Sequence, residues 1–349
     1  MIKNKKILNI LVPIIAVLVA LLIGAGIILY MGENPITAYY YLFTGAFDGV
    51  TPIARTLLEA TPLIFTGLAV LIAFKGGMFN IGAQGQMVIA GLTAAAIGGF
   101  VTNIFISNVF VILIAGGLAG FFWASIAGYL KAKLGVHEVI STIMLNYIAI
   151  NFEQYCLNYP LKAPGYNPQT PSVIEAARLG KLLDIRVPLN YGFILALIAV
   201  FLVWFILEKT VLGYHIKAVG YNPTAAENNG INVKFTILLT LGISGFLAGL
   251  GGVERVLGGV GQYAYKTGIT ATYGFDGIAV ALLGKNNPIG ALLAAILFAA
   301  LRVGGRAMQF NTEVPSQMVI MIQAIIILLI AAENMIRSWL EKGSKGGAE

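Results

Sequence analysis

Apolar residues run through this chain in blocks of membrane length separated by short polar islands. The first block, 7–31, follows Lys3, Lys5 and Lys6 and exceeds the roughly 20 residues that a helix needs to cross a bilayer. Its length, and its end in Ile-Leu-Tyr-Met rather than in small residues, predict an uncleaved span and not a secretory leader. Blocks at 57–74, from the polar stretch 78–86 to about 101, 109–130, 139–157, 190–207 and 235–253 predict further spans. Two shorter blocks, 274–284 and 289–301, flank the polar break Lys285-Asn286-Asn287-Pro288 and read as half-length helices, and 318–332 closes a series of about ten. The segment 32–56, with Tyr39, Tyr40, Tyr41, Phe43 and Phe47, suits an interfacial stretch, because aromatic rings gather at the membrane surface.

Three polar islands carry candidate chemistry. Within 208–234, Asn222 is a good N-cap, Pro223 suits the first helical position, Ala225, Ala226 and Glu227 favour helix, and Gly230 can end it. The signals predict a helix of about two turns. Set between two spans and without a partner in its own loop, it is expected to dock on another subunit. In 78–86, Asn80, Gln84 and Gln86 alternate with Gly82 and Gly85, so the backbone is free to leave helical geometry where side chains can hydrogen-bond. That stretch is either irregular backbone at depth, tolerated only beside protein or water, or a simple cytoplasmic turn. In 139–157, Tyr147, Asn151 and Gln154 follow i, i+4, i+7 spacing, with Asn146 and Glu153 on the flanks. Such a face meets a path, a partner or a neighbouring helix. The proline-rich 158–188 reads as a far-side loop, and Glu254 with Arg255, then Arg302, Arg306 and Glu313, read as markers of further far-side segments.

The stretch 80–88 can be laid on 272–280, pairing Gly82 with Gly274, Gln84 with Asp276, Gly85 with Gly277 and Val88 with Val280. In this topology the two enter the membrane from opposite sides, as expected of inverted repeats whose broken helices meet near the midplane. Asp276 reads as a path residue or as a helix N-cap.

Composition agrees with the pattern. With 58% hydrophobic and 11% charged residues and a mean hydropathy of +0.86, the chain lies far outside the range of soluble domains. We expect an all-α polytopic membrane protein, one transmembrane domain over 1–349. Gly116 with Gly120 and Gly245 with Gly249 have the spacing that lets helices approach closely. Of the 22 lysines and arginines, thirteen fall on the side that holds Lys75, Lys131, Lys133, Lys209, Lys217, Lys234 and Lys285, together with the tail cations Arg337, Lys342 and Lys345. The other nine include four in the long 158–188 loop, so the balance predicts cytoplasmic termini. The single Cys156 excludes an internal disulfide framework. There is no phosphate-binding G-x-x-x-x-G-K-[ST], no H-E-x-x-H and no G-x-S-x-G, and His137 and His215 lie in separate loops. Neither a catalytic residue, a metal site, a cofactor of the chain's own nor a nucleic-acid partner is expected.

The run 212–232, LGYHIKAVGYNPTAAENNGIN, resembles the cytoplasmic coupling loop of ABC-importer permeases of the ribose and branched-chain amino acid superfamily. The run 76–88, GGMFNIGAQGQMV, is similar to the nucleoside and simple-sugar members served by basic-membrane-protein-type lipoproteins. The resemblance implies a type II importer permease fold in a bacterial cytoplasmic membrane, with inverted repeats and two permease chains, often non-identical, flanking one path. A cytoplasmic ATPase would bind ATP and Mg and clasp the coupling loop, and an external lipoprotein would deliver substrate. On this basis Gly220, Asn222, Pro223, Ala225, Ala226 and Glu227 are expected to couple to the ATPase, and Asn80, Gln84, Gln86, Asn151 and Asp276 to line the path. Amide side chains suit neutral ligands with many hydrogen bonds, nucleosides and sugars alike. The resemblance implies nucleosides, purine nucleosides first, with ribose-like sugars as the alternative. An ion-coupled secondary transporter is a more distant alternative, disfavoured by the scarcity of acids within spans.

Overall fold

The computed structural model describes residues 2–101 and 108–332, with side chains from residue 14 onward. The tail cations Arg337, Lys342 and Lys345 lie outside the described residues, as do the side chains of Lys3, Lys5 and Lys6. Each expected span is a helix: α1 (Ile2–Tyr30), α3 (Val50–Lys75), α4 (Ala83–Phe100), α5 (Val109–Leu134), α6 (Glu138–Asn158), α7 (Gly192–Lys209), α10 (Val233–Leu257), α11 (Tyr273–Leu283), α12 (Pro288–Asn311) and α13 (Gln317–Ala331). Five of them, α3, α5, α7, α10 and α12, are long and apolar enough to cross a membrane on length and composition alone. Between these lie three shorter helices, α2 (Pro35–Phe47), α8 (Val211–Tyr221) and α9 (Pro223–Asn228).

Several expectations are corrected. The aromatic 32–56 segment contains α2, opened by Asn34, whose Oδ1 accepts from Ile36 N at 2.9 Å, with Pro35 following. Glu254 and Arg255 do not open an external loop; both lie in the last turn of α10 and are buried. Arg302 and Arg306 are likewise inside α12, which continues ten residues past the expected end at 301.

Residues 57–296 form one compact unit, organised around α10. From Leu247 to Leu257 nearly every position of that helix is buried, which a membrane helix achieves only when surrounded by other helices. Its closest neighbour is α5. The backbones of Gly120 and Gly245 meet, and the small Gly116 and Gly249 sit one turn further on against Val253 and Ala90. Such contact replaces the hydrophobic driving force that lipid cannot supply. On the other side α5 and α7 show Ile114, Phe122, Ile126, Ile198, Phe201 and Phe205 outward, a surface suited to hydrocarbon. The 158–188 loop folds back on 258–272: Thr170 N donates to Tyr265 O at 3.0 Å and Val173 N to Tyr263 O at 2.8 Å. Val173, Ala177 and Leu179 join the core beneath.

The second unit comprises residues 1–56 and 297–349. Here α1 packs on α13, with Gly24 against Ile322, and Tyr39 of α2 donates to Leu21 O at 2.5 Å. Gly304 of α12 lies against the Leu42 backbone of α2, and Gln323 of α13 donates to Phe298 O at 3.2 Å.

Candidate functional site

The site is built where two helices begin inside the protein. After Lys75 the chain turns through Gly76 and Gly77 and runs back along α3 and α10 as irregular backbone before α4 starts. Its depth can be read from its partners. Asn80 Nδ2 donates to Ser244 Oγ at 2.7 Å, and Ser244 Oγ donates to Ala69 O at 2.6 Å. Ser244 lies eleven residues into α10, about 16 Å along a helix rising 1.5 Å per residue. The stretch is therefore irregular backbone at depth and not a surface turn, with Met78 and Asn80 buried in protein and Phe79 exposed between them.

Asn80, Gln84 and Gln86 are all buried. Asn80 Nδ2 also donates to Gln86 Oε1 at 2.9 Å, while its Oδ1 accepts from Gly82 N at 2.9 Å and Gln86 Nε2 at 3.0 Å. All four of its bonds are thereby made. The first turn of α4 has no cap of its own, because Gly82 stands at the N-cap. Asn146 of α6 substitutes: its Oδ1 accepts from Gly85 N at 2.8 Å and its Nδ2 donates to Ile81 O at 2.8 Å.

α11 is handled the same way. Thr272 at its N-cap makes no side-chain cap bond. Instead Gln84 Oε1 accepts from Gly274 N at 3.0 Å, and Gln84 Nε2 donates to Thr270 Oγ1 at 2.9 Å and Ala271 O at 2.8 Å. Ala271 is held at φ 39°, a left-handed backbone unusual for alanine, as it presents that carbonyl. Gly274 lies so close to Gln84 that a Cβ there would overlap its backbone. The two echoed stretches thus meet, each helix capped by a side chain from another element. Three residues further on, Gly277 rests on Thr66, nine residues before the end of α3, so α11 starts well within the length of that helix. Asp276, half-exposed in the first turn, accepts from Thr272 Oγ1 at 2.8 Å and is not the N-cap.

The polar face of α6 divides. Its flank residues Asn146 and Glu153 point inward and are buried, whereas Tyr147, Asn151 and Gln154 are exposed. Asn151 Nδ2 donates to Tyr147 O of its own helix at 2.8 Å. The structure therefore does not bring Asn151 together with Asn80, Gln84, Gln86 and Asp276 in a single interior.

Beside the start of α10, Asn222 caps α9, accepting from Ala225 N at 3.0 Å, with Pro223 in first position. Asn222, Pro223, Ala225 and Glu227 are exposed. Ala226 is not available to a partner: it is buried with Val219 and Ile231, against Ala218, Val233 and Ile237. The short helix thus has partners within its own loop, contrary to expectation, and is seated on α8 and α10. Sequence reading also missed α8, which Thr210 caps through Gly213 N at 3.2 Å. Gly220 is half-buried against Gly77.

Residues 52–331 match the family described as the permease component of branched-chain amino acid transport systems. The chain belongs to this permease family. Relatives of the permease include the guanosine ABC transporter permease protein NupP of Bacillus subtilis, 37% identical over 99% of both chains. The nucleoside ABC transporter permease protein NupB of Lactococcus lactis is 37% identical over 97% of this chain and 95% of its own. A glucose ABC transporter permease protein of Haloferax volcanii, TsgB13, is 30% identical over 94% and 88%. B. subtilis and L. lactis each contribute a second relative, NupQ and NupC, both 28% identical, over 79% and 80% of this chain. No solved structure matches the permease.

Beside the crossing the permease holds a buried charged cluster that the sequence reading did not assemble. The Tyr273 hydroxyl donates to Glu59 Oε2, the Arg255 guanidinium lies 4.9 Å from the Tyr273 ring centroid, and Arg255 Nε donates to Ile269 O at 3.3 Å. Glu254 Oε1 accepts from Asn190 Nδ2 at 2.9 Å. These groups fix the loop that delivers α11. The available signal was an acid-base pair, Glu254-Arg255, inside Gly-Gly-Val-Glu-Arg-Val-Leu, where neighbours on both sides are apolar. At the loop end of α6, Glu138 accepts from Lys131 Nζ at 2.5 Å and from Phe79 N at 3.3 Å. Burial alone would raise its pKa, but these donors outweigh it and hold the carboxyl below the usual range.

Proposed function

We propose that this permease is the membrane subunit of an ATP-driven importer that moves purine nucleosides through a path shared with a second permease chain. The observation that carries the substrate class is its similarity, over nearly full length on both sides, to permease proteins named for guanosine and for nucleosides. The site chemistry fits. Amides and hydroxyls predominate at the crossing, a polar lining compatible with a neutral, many-hydrogen-bonded ligand. Asn80, Gln84 and Gln86 use their polar atoms on one another, on Ser244 and Thr270 and on backbone, so their role is to frame the path. Asp276 and the exposed face of α6 are the side chains assigned to ligand and partner. The second chain is a non-identical paralogue, a reading supported by the paired relatives in B. subtilis and L. lactis. A cytoplasmic ATPase, with its ATP and Mg, engages the exposed part of α9, and an external lipoprotein presents the substrate. Both termini lie in the cytoplasm of a bacterial cell membrane.

The test is uptake of radiolabelled guanosine, ribose and glucose by proteoliposomes holding the permease with its neighbouring-gene partners, with and without internal ATP. ATP-dependent guanosine uptake is expected. Uptake of a sugar alone would overturn the substrate, an outcome given weight by the glucose-named relative. Uptake driven by an ion gradient without ATPase would overturn the mechanism.

A further inference from the structure

Between the exposed part of α9 and the helix crossing lies a continuous set of contacts, and its narrowest point is a meeting of two glycines. A Cβ at Gly77 would stand 2.9 Å from Gly220 O and 3.0 Å from Gly220 Cα. A Cβ at Gly220 would run into Lys75 O and lie 2.8 Å from Gly77 N. Gly77 has φ +68°, a left-handed turn that glycine adopts without strain. Gly220 is the next-to-last residue of α8, two before the Asn222 cap of α9. Gly77 is three residues before Asn80. The two backbones are therefore in direct contact, with no side chain between them to absorb a displacement.

An apolar contact runs in parallel. Ile237 packs against the cluster that seats α9, formed by Val219, Ala226 and Ile231. It packs equally against Ala73, Met78 and Leu241, which hold the irregular stretch just before Asn80. Asn80 is hydrogen-bonded to Gln86 and Gly82, which flank Gln84 in the first turn of α4, and Gln84 Oε1 accepts from Gly274 N in the first turn of α11. Close-packed, fully bonded segments pass displacement on instead of absorbing it.

We propose that the Gly77–Gly220 contact, backed by Ile237, is the joint that carries movement of α9 to the crossing of α4 and α11. The proposal rests on the importer reading above. Gly77, Gly220 and Ile237 act through other residues and are positioning residues, not ligand contacts. The test separates transmission from folding and from ATPase docking.

The complex of permease, second permease, ATPase and binding lipoprotein is reconstituted, and guanosine uptake and ATP hydrolysis are measured on the same proteoliposomes. For Gly220→Ala, guanosine moved per ATP hydrolysed by the assembled complex is expected to fall at least tenfold, and Ile237→Ala is expected to keep assembly and lipoprotein-stimulated hydrolysis within about twofold of the unsubstituted complex. Ile237→Ala, which removes bulk without adding a clash, is expected to lower the same ratio by a smaller factor. Gly26→Ala in α1, where a Cβ meets nothing within 4 Å, is the control and is expected to change neither quantity. Normal transport per ATP in an assembled Gly220→Ala complex would overturn the joint. A parallel loss of hydrolysis and uptake, or loss of assembly in both variants, would assign the contact a structural role and also overturn it. Absence of ATP-dependent uptake in the unsubstituted complex would instead overturn the importer reading itself.

Discussion

At the scale of single residues, Asn80 is the most heavily bonded side chain of the crossing. It joins Ser244 of α10, Gln86 of α4 and the backbone of Gly82, and it is buried. Truncation to alanine leaves Ser244 and Gln86 short of a partner in a site closed to water, and each such orphan costs about 1–3 kcal/mol. We expect Asn80→Ala to lower the thermal midpoint of the purified permease in detergent by several degrees. Asn80→Asp should fall between the two, since it keeps the acceptor for Gly82 N and loses both donors. A midpoint for Asn80→Ala equal to that of the unsubstituted protein would show that these bonds are replaced by water and that the crossing is open. The importance of Asn80 was readable from its glycine-rich surroundings, but its partners were not. Ser244 lies 164 positions away, and nothing local in Gly-Ile-Ser-Gly distinguishes a serine that closes a network from one that bonds its own helix.

At the scale of elements, legibility depended on contrast with the surroundings. α9 and α2 open with the same pair, Asn-Pro, and in each the Asn side chain accepts from a backbone N–H of the first turn, yet only α9 was predicted. It stands in a polar loop, whereas α2 is aromatic and follows an apolar run, so its helical signal was absorbed into an interfacial reading. Charge misled in the opposite sense. Reading Arg302 and Arg306 as loop markers assumed that cations end spans, but helices retain them where other groups accompany them, and α12 continues to Asn311. The small-residue pairs were sound guides. Gly120 and Gly245 do meet, backbone to backbone, at the heart of the α5–α10 contact. Overpacking a close-packed contact costs about 1–3 kcal/mol, and here the obstacle is a carbonyl group that cannot rotate aside. Gly245→Leu is therefore expected to lower thermal stability by at least that amount. Gly26→Leu, on α1 with open space around it, should change it by less than about 0.5 kcal/mol. Equal midpoints for the two variants in the same detergent would mean that α5 and α10 are not in close contact in the native protein.

At the scale of the whole molecule, the decisive feature is a polar stripe that the single chain leaves uncovered. Tyr147, 61% exposed, and the exposed Asn151 and Gln154 follow one another up the outer side of α6, among Met144, Ile148 and Phe152. Asn151 places its amide N–H on the Tyr147 carbonyl of its own helix. A strip of amides on a membrane helix is poorly suited to lipid tails, which offer no donors. Its inward neighbours Asn146 and Glu153 show the alternative, since both are buried and bonded within the chain, Asn146 to the start of α4 and Glu153 to Gly268 N at 3.4 Å. The outer stripe is thus matched to a surface that the second permease and a hydrated path between the two chains would provide. Replacing Asn151 with leucine removes no bond that the isolated fold needs, apart from the one to its own helix. The thermal midpoint of the permease alone should be unchanged within about 0.5 kcal/mol. Guanosine uptake by the assembled complex should fall at least tenfold, with Gln154→Leu showing the same sign. A lower midpoint for the isolated chain would mean that Asn151 serves the fold. Unchanged uptake in the assembled complex would mean that α6 turns this stripe to neither partner nor path, and the dimer would have to be built on another face.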